Sequence, residues 1–329
     1  MDFNIKEISH ITDDFDSSIL TLEIYGKNVN YTIINSLRKV CIDQIPIYAF
    51  DRKKIKILKN SSVYDNTDME VRLSQLPIKR IKPNVIYLPT KYYKNVHFGD
   101  PKLERHLDDN IDIEFYLNVK NSGTEKVCYI TTDDLRISIN NNTIKNDDMY
   151  IKKEPITLIQ LRPEEEFECS MKSVLAVGEL NANFNSSNSY YEEINENHYI
   201  FNIESSGQMD EYELLTRGID IIIEKFKIIK ENIQNSQYET IKTENNSIRL
   251  EMSNEDHTCA GPLNYVLQNM KEVIFSGIFL PNFMEKKIVL TCVFNKNHDM
   301  INVFSDSIDK TIELYNNIKK KVINLYNKK

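Results

Sequence analysis

No two of the five cysteines (Cys41, Cys128, Cys169, Cys259 and Cys292) form a C-x-x-C pair. A closed zinc site built from cysteines is therefore not expected, and an odd, scattered set fits a reducing compartment. Long apolar runs are missing too, since none approaches the roughly 18 residues of a membrane span. The opening MDFNIKEISH has neither the charged-then-apolar layout of a signal peptide nor the Arg-rich character of a transit peptide. Glycine and proline are scarce, at eight and nine in 329 residues, and the remainder is that of an ordinary globular chain, 41% hydrophobic and 27% charged. A basic domain is the last absence. The net charge is −8, and the basic stretches are short: Arg52 to Lys59, Lys79 to Lys82 and Lys319 to Lys321. A protein that tracks a nucleic-acid backbone normally shows a basic domain or stripe. These absences predict an intracellular protein with no membrane span and no independent nucleic-acid binding. The basic stretches are read as solvated or partner-facing surface.

What is present is a repeat. NYTIINSLRKV (Asn30 to Val40) aligns with DHTCAGPLNYV (Asp256 to Val266), pairing Thr32 with Thr258, Leu37 with Leu263 and Val40 with Val266. Three identities in eleven are weak alone, but each segment follows a strand-like run, SILTLEIYG in one case and NSIRLEMSN in the other. In the first run Ile19, Thr21, Glu23 and Tyr25 alternate with Leu20, Leu22 and Ile24, as a half-buried strand requires. Each segment then reads as an amphipathic helix. Ile33, Leu37 and Val40 share one stripe, and Leu263, Val266, Leu267 and Met270 share another at i, i+3, i+4, i+7 spacing. Either Asp256 or Thr258 suits the cap of the second helix, with His257 between them and Pro262 placed in the first turn.

Each half also ends in a long helix. Leu215, Ile219, Ile222, Phe226, Ile229 and Ile233 follow a 4-3-4-3-4 rhythm, a seam for packing against other helices. Ile308, Ile312, Tyr315, Ile318, Val322 and Leu325 repeat the idea, opened by Ser305 or Asp306. Between the halves of the first unit the chain reads β-rich, with IDIEFYLNV, KVCYITT, LRISIN and EFECSMKSVLA separated by turn clusters. QNSQYETIKTENN (Gln234 to Asn246) is polar and reads as a linker. Such a tether holds the second unit at roughly millimolar effective concentration, making dimerisation internal.

These blocks resemble the α-type assembly subunits of cellular RNA polymerases: the bacterial α chain, archaeal D and the eukaryotic third subunit. NYTIINSLRKVCIDQIPIYAFD matches the family signature at Asn35, Ser36, Leu37, Arg38, Val40, Ile45, Pro46, Ala49 and Asp51. Residues 60–78 keep Arg72, Leu73, Leu76 and Pro77 of the next block, with Val71 and Ser74 where the family has His and Gly. Residues 156–178 resemble an insert-domain strand pair, and YIFNIESSGQM (Tyr199 to Met209) resembles the segment leading into the long helix. The second half resembles the smaller partner, archaeal L or the eukaryotic eleventh subunit. Glu255, Asp256, His257, Thr258, Leu263, Val273, Phe275, Gly277 and Pro281 match, while Pro262, Asn264, Asn282 and Phe283 depart from the usual Asn, Arg, His and Pro.

The resemblance implies an α+β fold of two dimerisation units, each an antiparallel sheet with two helices, forming an intrachain pseudo-dimer with a β-rich insert. The division expected is 1–56 for the first unit, 57–194 for the insert, 195–233 for the first unit's long helix, 234–246 for the linker and 247–329 for the second unit. It implies a non-catalytic platform that docks the largest and second-largest polymerase subunits, alongside a small zinc-bearing tenth-type subunit, with no second copy needed. Docking candidates are Asn35, Arg38, Lys39 and Asn264. The seam candidates are Ile33, Leu37, Val40, Leu215, Ile219, Ile222, Phe226, Leu263, Val266, Met270, Ile312, Tyr315 and Val322. No cofactor is expected. Some relatives hold a cysteine cluster in the insert, but residues 79–127 contain no cysteine, and His97 and His106 lack a cysteine between them. The fused halves and the Asn/Ile/Lys-heavy composition point to a large cytoplasmic DNA virus, working in a viral factory or virion, with the nucleus as the alternative.

Two rival readings remain. Glu255, Asp256, His257 and Cys259 fall within five residues, as in a thiol or metal hydrolase, although no glycine-rich oxyanion loop accompanies them. A stand-alone dimeric binding module outside the polymerase would also show paired helices. On an unrecognised sequence Arg38 and Lys39 would read as the wet side of an amphipathic helix.

Overall fold

The computed structural model describes residues 2–12, 18–93, 111–124, 126–150, 154–235, 239–243, 246–282, 286–295 and 300–328. Alternation decides the first sheet. Strands β1 (Asn4–Thr12), β2 (Ser18–Tyr25), β10 (Ser187–Asn195) and β11 (His198–Ser205) run antiparallel in the order β1-β2-β11-β10. Leu20, Leu22 and Ile24 of β2 face inward beside Tyr199, Phe201 and Ile203 of β11, all buried. The second sheet repeats the plan, in the order β12-β13-β15-β14, from β12 (Glu239–Thr243), β13 (Ser247–Ser253), β14 (Val273–Phe279) and β15 (Lys287–Phe294). Ile248, Leu250 and Met252 give β13 its buried face.

Four helices pack with these sheets: α1 (Tyr31–Asp43), α3 (Glu211–Gln234), α4 (His257–Gln268) and α5 (Met300–Tyr326). The long pair α3 and α5 run antiparallel. Tyr212 meets Tyr326, Asp220 meets Lys319, Phe226 stacks on Tyr315 at 6.2 Å between centroids, and Lys230 meets Asp309. Side chains from both sheets and all four helices form one continuous core, from Phe3 to Val322. The halves therefore bury each other's apolar faces, as an intrachain pseudo-dimer does, and neither has a closed core of its own.

The insert has a separate core. Strands β3 (Ile47–Asn60), β4 (Ile113–Lys120), β6 (Arg136–Ile139), β7 (Asn142–Ile144) and β9 (Glu166–Ala176) form an antiparallel sheet ordered β3-β9-β4-β6-β7. A smaller pair, β5 (Cys128–Thr131) with β8 (Thr157–Leu161), and helix α2 (Asn66–Ser74) complete it.

Two expected boundaries move. The insert begins with β3 at Ile47, not at 57, and β10 belongs to the first sheet, so residues 187–194 leave the insert. Strand β3 crosses between the cores: Ile47 and Ala49 join the shared core, while Tyr48 and Phe50 join the insert core. A strand buried on both faces shows no change of composition where the domain changes, which is why the sequence hid the join. The stretch read as a linker, 234–246, contains β12, paired with β13 from Glu239↔Glu251 to Thr243↔Ser247. An outer strand is held by its backbone ladder and needs no apolar signature. Helix α5 begins by Met300, so Ser305 and Asp306 lie within it rather than opening it. His97 and His106 fall outside the described residues.

Candidate functional site at the junction of the two units

The two short helices start on capping side chains at matching repeat positions. Asn30 accepts from the Thr32 and Ile33 N–H groups at 2.9 and 3.1 Å, and Asp256 accepts from the Thr258 N–H at 2.8 Å. Of the two caps left open by the sequence, the geometry selects Asp256. Thr258 is buried in the first turn, and His257 is exposed.

Pro262 sits at the sixth residue of α4, in the second turn rather than the first as expected. Without an N–H it leaves the Thr258 carbonyl lacking its i+4 donor. Ser36 of α1 takes that place, with its Oγ 2.7 Å from the Thr258 oxygen in a buried contact. The same hydroxyl lies 2.7 Å from the Thr32 carbonyl of its own helix. Ser36 and Pro262 are partners in the repeat, so the gap in one helix is filled from the equivalent position of the other. Close approach makes this reachable. A Cβ on Gly261 would lie 3.3 Å from Thr32 Cβ, and one on Gly218 of α3 would lie 2.9 Å from Cys41 Sγ.

Most seam candidates lie within the shared core: Ile33, Leu37, Val40, Leu215, Ile219, Ile222, Phe226, Leu263, Met270, Tyr315 and Val322 are all buried there. Two do not. Val266 is half-buried outside that core, where the adjacent Tyr265 packs against it, and Ile312 is only half-buried at its margin. The buried phase of α5 runs through Thr311, whose hydroxyl is satisfied by the Ser307 carbonyl at 2.8 Å. A threonine able to bond back one turn fits an apolar seam, and a hydrophobicity pattern misses it.

The docking candidates separate. Arg38 forks onto the Asn35 side chain through Nε and Nη2 at 3.1 and 3.0 Å, both residues half-buried on α1. Lys39 instead reaches the second unit, with its Nζ 2.5 Å from Asp256 Oδ2. It is a link within the chain. Asn264, at the repeat position of Arg38, accepts from Ser276 Oγ of β14 at 2.6 Å.

Around Lys39 and Asp256 lies a charge network that no sequence pattern signalled. Burial opposes the Asp256 charge, but Lys39 and the Thr258 bonds outweigh it and hold the carboxyl far below its ordinary range. Burial likewise opposes a charged Lys225 on α3, yet the neighbouring carboxylates of Glu255 and Asp256 keep the ammonium protonated. Glu255 is pushed up by burial, against the pull of Lys225. Glu179 joins the two halves, since Lys286 of the second unit and Tyr93 both bond its carboxylate. Asp43, at the end of α1, is pushed up to about 6, chiefly by burial.

This setting does not suit a thiol nucleophile. Burial and the neighbouring Glu255 carboxylate drive the Cys259 thiol well above its ordinary value, and Cys259 is buried while His257 is exposed. The cluster that resembled an active site is an electrostatic joint.

Two family models, both described as the RNA polymerase Rpb3/Rpb11 dimerisation domain, match this chain at residues 23–226 and 247–321. A candidate DNA-directed RNA polymerase subunit of Acanthamoeba polyphaga mimivirus is 28% identical over 321 residues, covering 90% of this chain and 88% of that protein. The DNA-directed RNA polymerase subunit Rpo3 of Methanocaldococcus jannaschii is 23% identical over 202 residues, covering 61% of this chain and 85% of that subunit.

Proposed function

Because this chain belongs to the RNA polymerase Rpb3/Rpb11 dimerisation family, we propose that it is the non-catalytic platform on which the two largest subunits of a DNA-dependent RNA polymerase assemble. Membership in a polymerase, rather than a stand-alone module, follows from the paired domains and the polymerase relatives. The observation that carries the platform reading is the single core shared by two family domains in one chain. Dimerisation is thereby an intramolecular event, and the platform forms at any concentration without a second copy.

The forked Asn35–Arg38 pair on α1 is the foremost docking candidate for the second-largest subunit. An Arg already held by Asn35 loses little freedom when it meets a partner carboxylate or carbonyl. Asn264 marks the equivalent place on α4, facing the largest subunit. The small zinc-bearing tenth-type subunit is a further partner. Nearly full-length similarity to the mimivirus protein supports a large DNA virus as the source. A viral factory or virion is then the working place, with the nucleus as the alternative. Among the described residues no helix is long and apolar enough to cross a membrane.

Co-expression of the tagged chain with its two largest polymerase subunits tests this reading. Arg38→Glu, with Lys39 left to hold Asp256, is expected to keep the chain folded and abolish recovery of the second-largest subunit. Unchanged recovery would place the docking face elsewhere, and failure of the unaltered chain to recover either large subunit would overturn the platform.

A further inference from the structure

One hollow on the outer face of the insert sheet is basic, in a chain whose net charge is −8. Strand register builds it. Ile55, Met171, Phe115 and Ile137 lie abreast on β3, β9, β4 and β6, and all four are buried. The adjacent row, Lys56, Ser170, Tyr116 and Arg136, takes the opposite face. Between Phe50 and Ile55 the ladder breaks, so that Asp51 to Lys54 stand opposite Lys172 alone. This bulge brings Lys53 and Lys54 to the same hollow, as bulges re-aim side chains elsewhere.

The hollow holds about 510 Å³, with the small Ser170 between the taller Lys56 and Tyr116. Five cations line it (Lys53, Lys54, Lys56, Arg136 and Lys172) against one acid, Glu114. Lys172 is held by Asp112 and Glu114 at 2.9 and 3.5 Å. Lys56 and Arg136 are exposed and make no ion pair among the described residues.

We propose that this hollow docks an acidic polypeptide segment of a partner protein, whose carboxylates pair with Lys56 and Arg136. Charge complementarity supplies the match, since a concave basic site on an acidic chain attracts carboxylates locally and repels them elsewhere. A nucleic acid fits less well. Its backbone needs a continuous basic track, whereas here Glu114 lines the hollow and Asp112 pairs with Lys172 at its margin.

Fluorescence anisotropy on the full chain tests the site with three labelled probes: a short oligo-glutamate, an oligo-glutamine of equal length and an oligo-uridylate. Saturable binding of oligo-glutamate alone is expected, weakened about tenfold by Lys56→Glu with Arg136→Glu and weakened again by added salt. Thermal melts should be unchanged, and Lys56→Gln with Arg136→Gln serves if the reversal perturbs folding. Absence of saturable oligo-glutamate binding, or equal binding by the folded variants, would overturn the site. Tighter binding of oligo-uridylate, lost in the same variants, would also overturn it in favour of nucleic acid. The chain is measured alone, so a failure here leaves the platform reading standing.

Discussion

Helix α1 opens on the neutral Asn30 and carries Ser36 where α4, opening on the charged Asp256, carries Pro262. The two helices occupy equivalent places in a repeated unit, yet their polar groups are complementary rather than copied. One has an unfilled carbonyl and the other a spare hydroxyl; one has the acid and the other, through Lys39, the base. Two identical units could not specify which half meets which. Paired defects and paired charges can, because a wrong pairing leaves the Thr258 carbonyl without a donor and the Asp256 carboxylate without its cation.

The largest effect should come from what the halves contribute alike. Phe226→Ala removes a fully buried ring from the α3–α5 seam, where it stacks on Tyr315. The expected loss is about 3–5 kcal/mol in denaturant unfolding, with both halves lost in one transition because they share a core. Two separated transitions would show that the units are independent and would remove the basis of the comparison.

Next comes the contact that separates the helices. Ser36→Ala leaves the Thr258 carbonyl buried without a donor and is expected to destabilise by about 1–3 kcal/mol. Pro262→Ala returns an N–H to α4, so the loss from Ser36→Ala should be smaller in the Pro262→Ala background. Equal losses in the two backgrounds would show that Ser36 serves its own helix through Thr32 and nothing across the junction.

The repeat and both amphipathic seams were legible because periodicity reports which face of an element is buried. Asp256 and Thr258 were recognisable as a helix opening, since caps are local and their chemistry is short-range. The rest depends on tertiary proximity. Lys39 reads as a solvated lysine until Asp256 is placed beside it, and Lys225 reads as the polar side of α3 until α4 covers it. Thr311 was passed over for Ile312 because a hydrophobic pattern cannot see a hydroxyl satisfied within its own helix. The β3 crossing and β12 were hidden for opposite reasons, one strand buried on both faces where it crosses from Ile47 to Phe50 and the other mostly polar in sequence.

Asp43 ends α1 and has no counterpart charge of its kind at the end of α4, where Gln268 stands. Its carboxyl is pushed up to about 6, so the folded state holds that proton more tightly than the unfolded chain does. Stability is therefore greatest below the ordinary carboxylate range and falls as the pH rises toward 6. Asp43→Asn should stabilise by about 1–3 kcal/mol near neutral pH, with most of the gain gone by about pH 4.5. A gain of the same size at both pH values would assign the effect to hydrogen bonding rather than to the charge.

The caps give the smallest difference and the finest test. Asn30→Ala and Asp256→Ala each remove an acceptor from a first turn, worth about 1 kcal/mol. Asp256 also faces Lys39, which is more than a third exposed at 37%, so screening by water limits the extra effect to about 1 kcal/mol. Because the Asp256 carboxyl is depressed in the fold, its contribution is fully present above the ordinary carboxylate value and shrinks as the pH falls below about 4. Urea melts should therefore show Asp256→Ala costing more than Asn30→Ala at neutral pH, with the gap closing in acid. Lys39→Met should close the same gap at neutral pH. If the gap closes in acid but survives Lys39→Met, the charge on Asp256 answers the dipole of α4, and the link between the units must rest on Ser36, Glu179 and the shared core.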